Sequence, residues 1–119
     1  ELVEAVGKTS DLAAKAFGDG SVYLERYVAQ ARHVEIQVFG FGDGRAVHLF
    51  ERDCSLQRRH QKVVEEAPAP GLSDELRDHM AKSAVALASA CRYEGAGTIE
   101  YLLDADRAEF FFLELELRV

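Results

Sequence analysis

Apolar residues recur along this chain at two different spacings, and the spacing divides the chain into predicted helices and strands. Over residues 1–17 they recur at roughly every third or fourth position, which predicts a helix that Gly7 could break in two. Gly18 follows, and glycine ends a helix readily because it tolerates a left-handed backbone. A second helix is predicted from Ser73, a good N-cap, to about residue 92.

The other spacing has period two and predicts strands. These strands are predicted over residues 21–28, 33–39, 46–50, 98–103 and 109–119. In the second of them, His33, Glu35 and Gln37 alternate with apolar residues, which predicts one buried face and one face in water. The glycine-rich segment 40–44 lies between two strands rather than before a helix, so we interpret it as a hairpin turn and not as a phosphate loop.

The composition is that of a soluble globular chain and narrows the class of partner. The 119 residues are 48% hydrophobic and 29% charged, which fits one small domain or a piece of a larger one. The net charge of -7 gives no overall attraction for nucleic acid. We expect no membrane span and no secretory signal, and we expect Cys54 and Cys91 to be reduced thiols of a cytosolic protein. The elements together predict an α+β fold, a mainly antiparallel sheet flanked by helices.

Acidic residues occupy alternate positions of the last predicted strand. Glu114, Glu116 and Arg118 share one face of it, and Glu100 on the preceding strand lies within reach if the two strands pair. Converging carboxylates repel one another unless a cation lies between them, and Mg²⁺ or Mn²⁺ takes oxygen ligands. The alternative is a solvated face. The rest of this strand is so apolar that we expect both of its faces to be covered.

A basic run lies in the middle of this acidic chain. Residues 57–62 include two arginines, a histidine and a lysine, and local positive charge suits an anionic ligand such as a nucleotide or carbonate. If the run is extended, Arg58, His60 and Lys62 point to one side of it and the residues between them to the other. The alternative is a solvated surface run, and spacing alone does not separate the two.

Four blocks of the sequence resemble the biotin carboxylase family, in the order and at the spacing of that family. They are residues 31–38 (ARHVEIQV), 51–70, 95–101 (GAGTIEY) and 112–119 (FLELELRV). The second block is long and specific, and the blocks cover nearly the whole chain. The resemblance implies an ATP-grasp fold, with residues 1–24 at the end of the lid subdomain and residues 25–119 in the C-terminal lobe. Such enzymes activate bicarbonate with ATP as carboxyphosphate and then carboxylate biotin on a carrier protein.

The resemblance also implies roles for single residues. Those matching nucleotide-binding positions are Glu25, Arg26, Tyr27 and Val28 of an adenine hinge, and His33, Gln57 and His60. Lys62 and Arg118 match the positions that hold bicarbonate and the transferring phosphate. Those matching metal-binding positions are Glu100 and Glu114, with Glu116 where the family usually has Asn.

The cofactors and partners follow from the same resemblance. It implies ATP, Mg²⁺ or Mn²⁺, and carrier-bound biotin, in a cytoplasmic enzyme or one of the mitochondrial matrix. It implies a biotin carboxyl carrier protein or domain, a carboxyltransferase component and a homo-oligomeric parent enzyme. The family's N-terminal nucleotide-fold domain and glycine-rich lid loop are not among the 119 residues. Two hypotheses therefore remain: part of an active carboxylase, or an isolated non-catalytic module with at most weak nucleotide binding.

Overall fold

Seven helices and strands make up the structure, a computed structural model that describes residues 1–117. In chain order they are α1 (Leu2–Phe17), β1 (Ala31–Phe41), β2 (Ala46–Arg58), β3 (Gln61–Glu66), α2 (Asp74–Ala90), β4 (Glu94–Asp104) and β5 (Glu109–Leu117). Arg118 and Val119 lie outside the described residues. The predicted α+β class is confirmed.

The five strands form one sheet with β1 at its centre. The strand order is β3-β2-β1-β4-β5, and every neighbouring pair is antiparallel. The glycine-rich segment 40–44 joins β1 to β2 as the predicted hairpin turn. β4 and β5 pair as the predicted second hairpin. β2 continues through the charged segment that follows its predicted end, and this extension brings the basic run to the sheet.

An apolar core lies between α2 and one face of the sheet. Its fully buried members are Val34, Ile36 and Val38 of β1, Ile99, Tyr101 and Leu103 of β4, and Met80, Ala84 and Ala88 of α2. Ser73 begins the helix as predicted, because its Oγ accepts a hydrogen bond from the Leu76 N–H at 3.2 Å. The alanines of α2 let the helix approach the sheet closely, and Ala69 and Leu72 of the segment before α2 also pack into this core.

The N-terminal region differs from its prediction in one element. α1 is continuous through Gly7, ends at Gly18 in the left-handed conformation (φ 78°) and buries none of its residues. The strand predicted over residues 21–28 is wrong, because residues 18–30 form neither helix nor strand. The β-forming side chains here are largely exposed, and a preference for strands is realised only when a neighbouring strand supplies packing.

β5 differs from its prediction as well. It is an edge strand, and its apolar residues Leu113 and Leu117 are exposed, so the expectation that both faces are covered is wrong. Of the β5 residues, Phe110 and Leu115 pack against the core. Neither described helix has the length and hydropathy of a membrane span. Cys54 and Cys91 are both free thiols, as predicted.

Candidate active site on the polar face of the sheet

A row of charged side chains crosses four strands on the face opposite α2. Arg52 of β2 is paired in register with Glu35 of β1, and Glu35 is in turn paired with Glu100 of β4. Glu100 is paired with Glu114 of β5, as the hairpin predicted. Like charges that face each other across strands destabilise a sheet. Three carboxylates in one row therefore require nearby positive charge.

Lys62 supplies positive charge at the centre of this row. Its Nζ lies 2.8 Å from Oε2 of Glu35, contacts Oε1 of Glu100, and lies 3.9 Å from Oε2 of Glu116. Burial would lower the pKa of Lys62, but the hydrogen bonds and charges of Glu100 and Glu35 outweigh burial and raise that pKa above its ordinary value. The amine is therefore a fixed cation.

Glu35 is the most enclosed carboxylate of the site, with 0% of its surface exposed. Its Oε2 accepts from Lys62, and its Oε1 contacts Arg52 and accepts from the Gln37 amide at 3.2 Å. Burial alone would raise the pKa of Glu35, but Lys62 and then Arg52 outweigh burial and hold it below its ordinary value. The prediction that this face lies in water is wrong at Glu35, because side chains of β2 and β3 cover it.

A tight turn breaks the basic run into two strands. β2 ends at Arg58 and β3 begins at Gln61, and between them Arg59 (φ 52°) and His60 (φ 65°) are both left-handed. Two such residues are typical of a type I′ hairpin turn, although each costs about 1–2 kcal/mol when it is not glycine. The run is therefore not extended throughout, so the condition under which Arg58, His60 and Lys62 would point to one side is not met. The turn directs Lys62 toward the carboxylates and places His60 beside them.

Two adjoining cavities collect most of the predicted site residues. The first, of about 400 Å³, we call the lysine cavity, and its walls include His33, His60, Lys62, Glu100, Glu114 and Glu116. The second, of about 390 Å³, we call the glutamine cavity, and its walls include His33, Gln57, His60, Glu100 and Glu114. The shared residues make one continuous groove along β4 and β5.

His33 connects these residues within the groove. Its Nδ1 lies 2.6 Å from Nε2 of Gln57, which also donates to the Cys54 carbonyl at 3.0 Å. The Nε2 of His33 lies 2.6 Å from Oε2 of Glu100, at ion-pair distance but out of line for a hydrogen bond. Both oxygens of Glu100 are thus occupied, one by Lys62 and one by His33.

The predicted adenine hinge lines a third cavity of about 250 Å³. Glu25, Arg26 and Val28 form one wall of this hinge cavity, and Leu102 and Leu113 form part of the other. The same two leucines line the glutamine cavity, so the hinge cavity continues the groove. Arg26 is held there by Asp104 at 3.3 Å and Glu109 at 3.4 Å, with its guanidinium 5.4 Å from the centre of the Phe111 ring.

Two predicted residues are not brought into the groove by the described structure. Tyr27 is 86% exposed and is not among the residues lining the three cavities. Arg118 lies outside the described residues. Conversely, Glu35 and Arg52 belong to the charged row and were not predicted as site residues. The signal for Glu35 was its position between His33 and Gln37 on one strand face. Knowledge that β1 pairs with β4 would have placed Glu35 beside Glu100.

Comparison with known proteins identifies the family of this chain. The chain matches the family "Carbamoyl-phosphate synthase L chain, ATP binding domain" over residues 1–119. It is 54% identical to the alpha chain of mitochondrial methylcrotonoyl-CoA carboxylase from Dictyostelium discoideum, across 100% of this chain and 17% of that protein. It is 46% identical to a pyruvate carboxylase subunit of Methanothermobacter thermautotrophicus, across 100% of this chain and 24% of that protein.

Solved structures give the same relationship. A biotin carboxylase–β,γ-ATP complex from Campylobacter jejuni is 44% identical with a TM-score of 0.82, and the match covers 98% of this chain and 26% of that one. The biotin carboxylase domain of a thermophilic 2-oxoglutarate carboxylase bound to bicarbonate is 40% identical with a TM-score of 0.90, covering 99% and 26%.

These matches confirm the partial ATP-grasp fold that the sequence predicted. The chain spans only 17% to 26% of the length of these four proteins. It belongs to the family of the carbamoyl-phosphate synthase L chain ATP-binding domain, and its relatives are biotin carboxylase domains of biotin-dependent carboxylases.

Proposed function

We propose that this chain is the part of a biotin carboxylase that holds ATP, metal ions and bicarbonate while biotin is carboxylated. The observation that carries the proposal is the position of Lys62, a fixed cation among Glu35, Glu100 and Glu116 in a cavity that His33 also lines. A charged amine beside accessible carboxylates can hold a small anion next to a metal-bound phosphate. A related domain from Hydrogenobacter thermophilus was crystallised with MgADP and bicarbonate, which supports the same ligands here.

Within this proposal the nucleotide lies along the groove. Glu25, Arg26 and Val28 would contact the adenine from one wall of the hinge cavity, with Leu102 in the other wall. His33, Gln57 and His60 contact the nucleotide further along, where the glutamine and lysine cavities meet.

The division into subdomains is also part of the proposal. Residues 1–24 are the end of the lid subdomain and residues 25–119 are part of the C-terminal lobe. The burial pattern supports this division, because α1 buries no residue while the strands β1 and β4 share one core with α2.

Glu100, Glu114 and Glu116 would hold the divalent cation. Their oxygen-only donor set suits Mg²⁺ or Mn²⁺, and Glu114 and Glu116 are exposed at the mouth of the lysine cavity. Glu100 is buried, and its oxygens are shared with Lys62 and His33, so it contributes charge from below. When bound, the cation neutralises charge that develops on the transferred phosphoryl group.

Lys62 and Arg118 would hold bicarbonate and the transferring phosphate. The ammonium of Lys62 has three N–H donors, and Glu35 and Glu100 accept two of them. The third is left for Glu116 at 3.9 Å or for an anion in the lysine cavity. Fixed positive charge at this point stabilises charge that forms on the bound anion during the reaction.

The parent enzyme would carboxylate biotin on a carrier protein or domain and pass the carboxyl group to a carboxyltransferase. The relatives are named as subunits or domains of methylcrotonoyl-CoA, pyruvate and 2-oxoglutarate carboxylases, which supports these partners. The related 2-oxoglutarate carboxylase domain was crystallised as a dimer, which supports a homo-oligomeric parent. We place the enzyme in the cytoplasm, or in the mitochondrial matrix if the source is eukaryotic, since the Dictyostelium relative is mitochondrial.

Replacing Lys62 in the full-length enzyme tests the proposal. We expect Lys62→Gln to lower the rate of biotin carboxylation by about 10²–10³-fold, or about 3–4 kcal/mol, with the KM for ATP little changed. Arg118→Ala should act in the same direction. The matched control is Lys82→Gln, which removes an exposed lysine of α2 paired with Asp78. Normal carboxylation by Lys62→Gln, or a loss of ATP binding alone, would contradict the role.

The second function, a non-catalytic module, is favoured for the separate 119-residue chain by the open groove. Glu114 and Glu116 are exposed at its mouth, so water would screen the charges around the phosphates of a nucleotide bound there and weaken the stabilisation of developing charge. We expect the purified chain to show no bicarbonate-dependent ATPase above background. Phosphate release is measured beside the full-length enzyme as control, and turnover by the chain would contradict this expectation.

A further inference from the structure

Arg52 supports the charged row from the side opposite Lys62. One of its terminal nitrogens contacts Oε1 of Glu35, and the other contacts Oε2 of Glu65. Lys62 lies 2.8 Å from the second oxygen of the same Glu35 carboxylate. The two oxygens of Glu35 are therefore divided between an arginine and a lysine. Gln37 completes the arrangement by donating to the Oε1 side at 3.2 Å.

The planar fork of an arginine fits this bridging position. Two nitrogens on one rigid plane can contact two carboxylates at once, whereas the ammonium of a lysine is a single point charge. Register places Arg52 directly across from Glu35, so the contact is built into the β1–β2 pairing. Arg52 is not among the residues that line the lysine or glutamine cavity. It lines instead a separate cavity whose walls include Gln37, Glu51 and Arg77.

Glu35 pairs with both Arg52 and Lys62. Its pairing with Arg52 therefore affects how strongly Lys62 attracts an anionic ligand. With Arg52 on one oxygen, Glu35 neutralises Lys62 only in part. Without Arg52, the negative charge of Glu35 would be balanced by Lys62 alone. Lys62 is already in contact with Glu100 on the other side. Lys62 would then be pulled deeper between two carboxylates and would offer less positive charge to an anion in the cavity.

We propose that Arg52 is a positioning residue for the bicarbonate step, which acts through Glu35 to keep Lys62 in place and its charge available to the bound anion. This role presupposes the proposed function of Lys62. It assigns to Arg52 no contact with substrate and no proton transfer.

Kinetics of the full-length enzyme test this role. We expect Arg52→Gln to lower kcat/KM for bicarbonate by about 10- to 100-fold, as is typical for residues behind a ligand-binding group, with the KM for ATP little changed. Arg52→Lys should recover much of the loss, because it restores a cation beside Glu35. A loss confined to ATP binding would contradict the role, and so would normal carboxylation by Arg52→Gln.

Arg77 provides the matched structural control. Its Nε donates to Oε1 of buried Glu51 at 2.7 Å, so it too pairs with an enclosed carboxylate, but its ion pairs are with Glu51 and Asp74 rather than with the charged row. Arg77→Gln should lower the thermal unfolding midpoint and leave the kinetics of the remaining folded enzyme unchanged. If Arg77→Gln and Arg52→Gln reduce kcat/KM for bicarbonate alike, Arg52 is only structural and the proposal is overturned.

A double-mutant cycle separates a role through Lys62 from a general loss of stability. We expect Arg52→Gln to have little further effect on bicarbonate-dependent ATPase in enzyme that already carries Lys62→Gln, because the group on which it acts is gone. Additive losses would overturn the proposal. If Lys62→Gln alone leaves carboxylation normal, the proposed function itself fails. If only Lys62→Gln impairs it, the role of Arg52 fails while the proposed function stands.

The cycle remains informative if Arg52→Gln does not fold. It is then run with Arg52→Lys, which keeps the charge beside Glu35 and loses the fork that reaches Glu65. The expected result is a smaller loss in kcat/KM for bicarbonate that disappears in the Lys62→Gln background. A loss of the same size in both backgrounds would overturn the proposal.

Discussion

The two faces of the central strands are made by alternate residues of the same segments, yet they are buried in different ways. On one face Val34 and Ile36 pack against α2 without polar partners. On the other face Glu35 is 0% exposed and Glu100 4% exposed, and both are enclosed by charged and polar groups. Burial of apolar surface is favourable throughout, whereas the attraction within a buried ion pair is largely offset by the loss of hydration.

The two faces therefore have different roles in the protein. The apolar face stabilises the fold, while the charged face holds cations and carboxylates in fixed positions at little net gain in stability. Substitutions should therefore have different effects according to the face they reach. Core substitutions should lower stability and leave the chemistry of folded molecules intact. Substitutions in the charged row should change that chemistry, and those that leave a buried carboxylate unpaired should lower stability as well.

The largest effect on stability is expected from Ile36→Ala in the apolar face. Ile36 is buried against α2, and truncating such a side chain leaves a cavity that costs about 2–5 kcal/mol. Urea unfolding of the chain measures this loss. The matched control is Leu56→Ala on β2, because Leu56 is 62% exposed and should change stability by only about 0.5 kcal/mol. Equal losses from both variants would show that the face toward α2 is not the main source of stability.

The sequence predicted the elements whose signals are local. Helix α2 was predicted from the Ser73 cap and the apolar stripe, and the hairpins from glycine or polar residues between alternating segments. Because the second hairpin has a short turn, its register also brought Glu100 opposite Glu114. Each of these features depends on residues that are close in sequence.

The errors lie where distant parts of the chain decide the outcome. Residues 21–28 have β-forming side chains, but no strand pairs with them in the described structure. The alternation of polar and apolar residues in β1 predicts that Glu35 lies in water. That alternation shows which residues share a face, but it does not show which side chains from other strands cover the face. The burial of Glu35 comes from Lys62 and Arg52, which reach it only once β2 and β3 have assembled beside β1. Predicting the burial of Glu35 would have required the order of the strands in the sheet, which the pattern of polar and apolar residues does not give.

A smaller effect is expected at the exposed edge of the charged face, where Glu114 lies. In the full-length enzyme we expect Mn²⁺ to bind when ATP supplies phosphate oxygens and to bind poorly without it, because such cations prefer a shared ligand shell. Glu114→Gln should weaken Mn²⁺ binding in the presence of ATP by at least about 10-fold, the lower end of the range for residues behind a metal ligand. Electron paramagnetic resonance titration of free Mn²⁺ gives both values.

The control for this titration is Asp106→Asn in the turn between β4 and β5. Asp106 is an exposed carboxylate that lines neither the hinge cavity nor the glutamine or lysine cavity, so Mn²⁺ binding should not change. Tight Mn²⁺ binding in the absence of nucleotide would contradict the shared shell. Equal weakening by Asp106→Asn and Glu114→Gln would show a general effect of net charge rather than a ligand at Glu114.

The smallest effect is expected at the two thiols, and it tests how far the charged face is enclosed. Burial, followed by the nearby charge of Glu35, raises the pKa of Cys54 to about 12, so that only about one thiol in ten thousand is ionised at pH 8. Cys91, just beyond α2, is exposed. Iodoacetamide should therefore label Cys91 in the folded chain and reach Cys54 only after unfolding in urea, as mass spectrometry of the peptides will show. Equal labelling of both thiols in the folded chain would mean that the charged face is open to solvent beneath Glu35, contrary to the enclosure on which the availability of Lys62 depends.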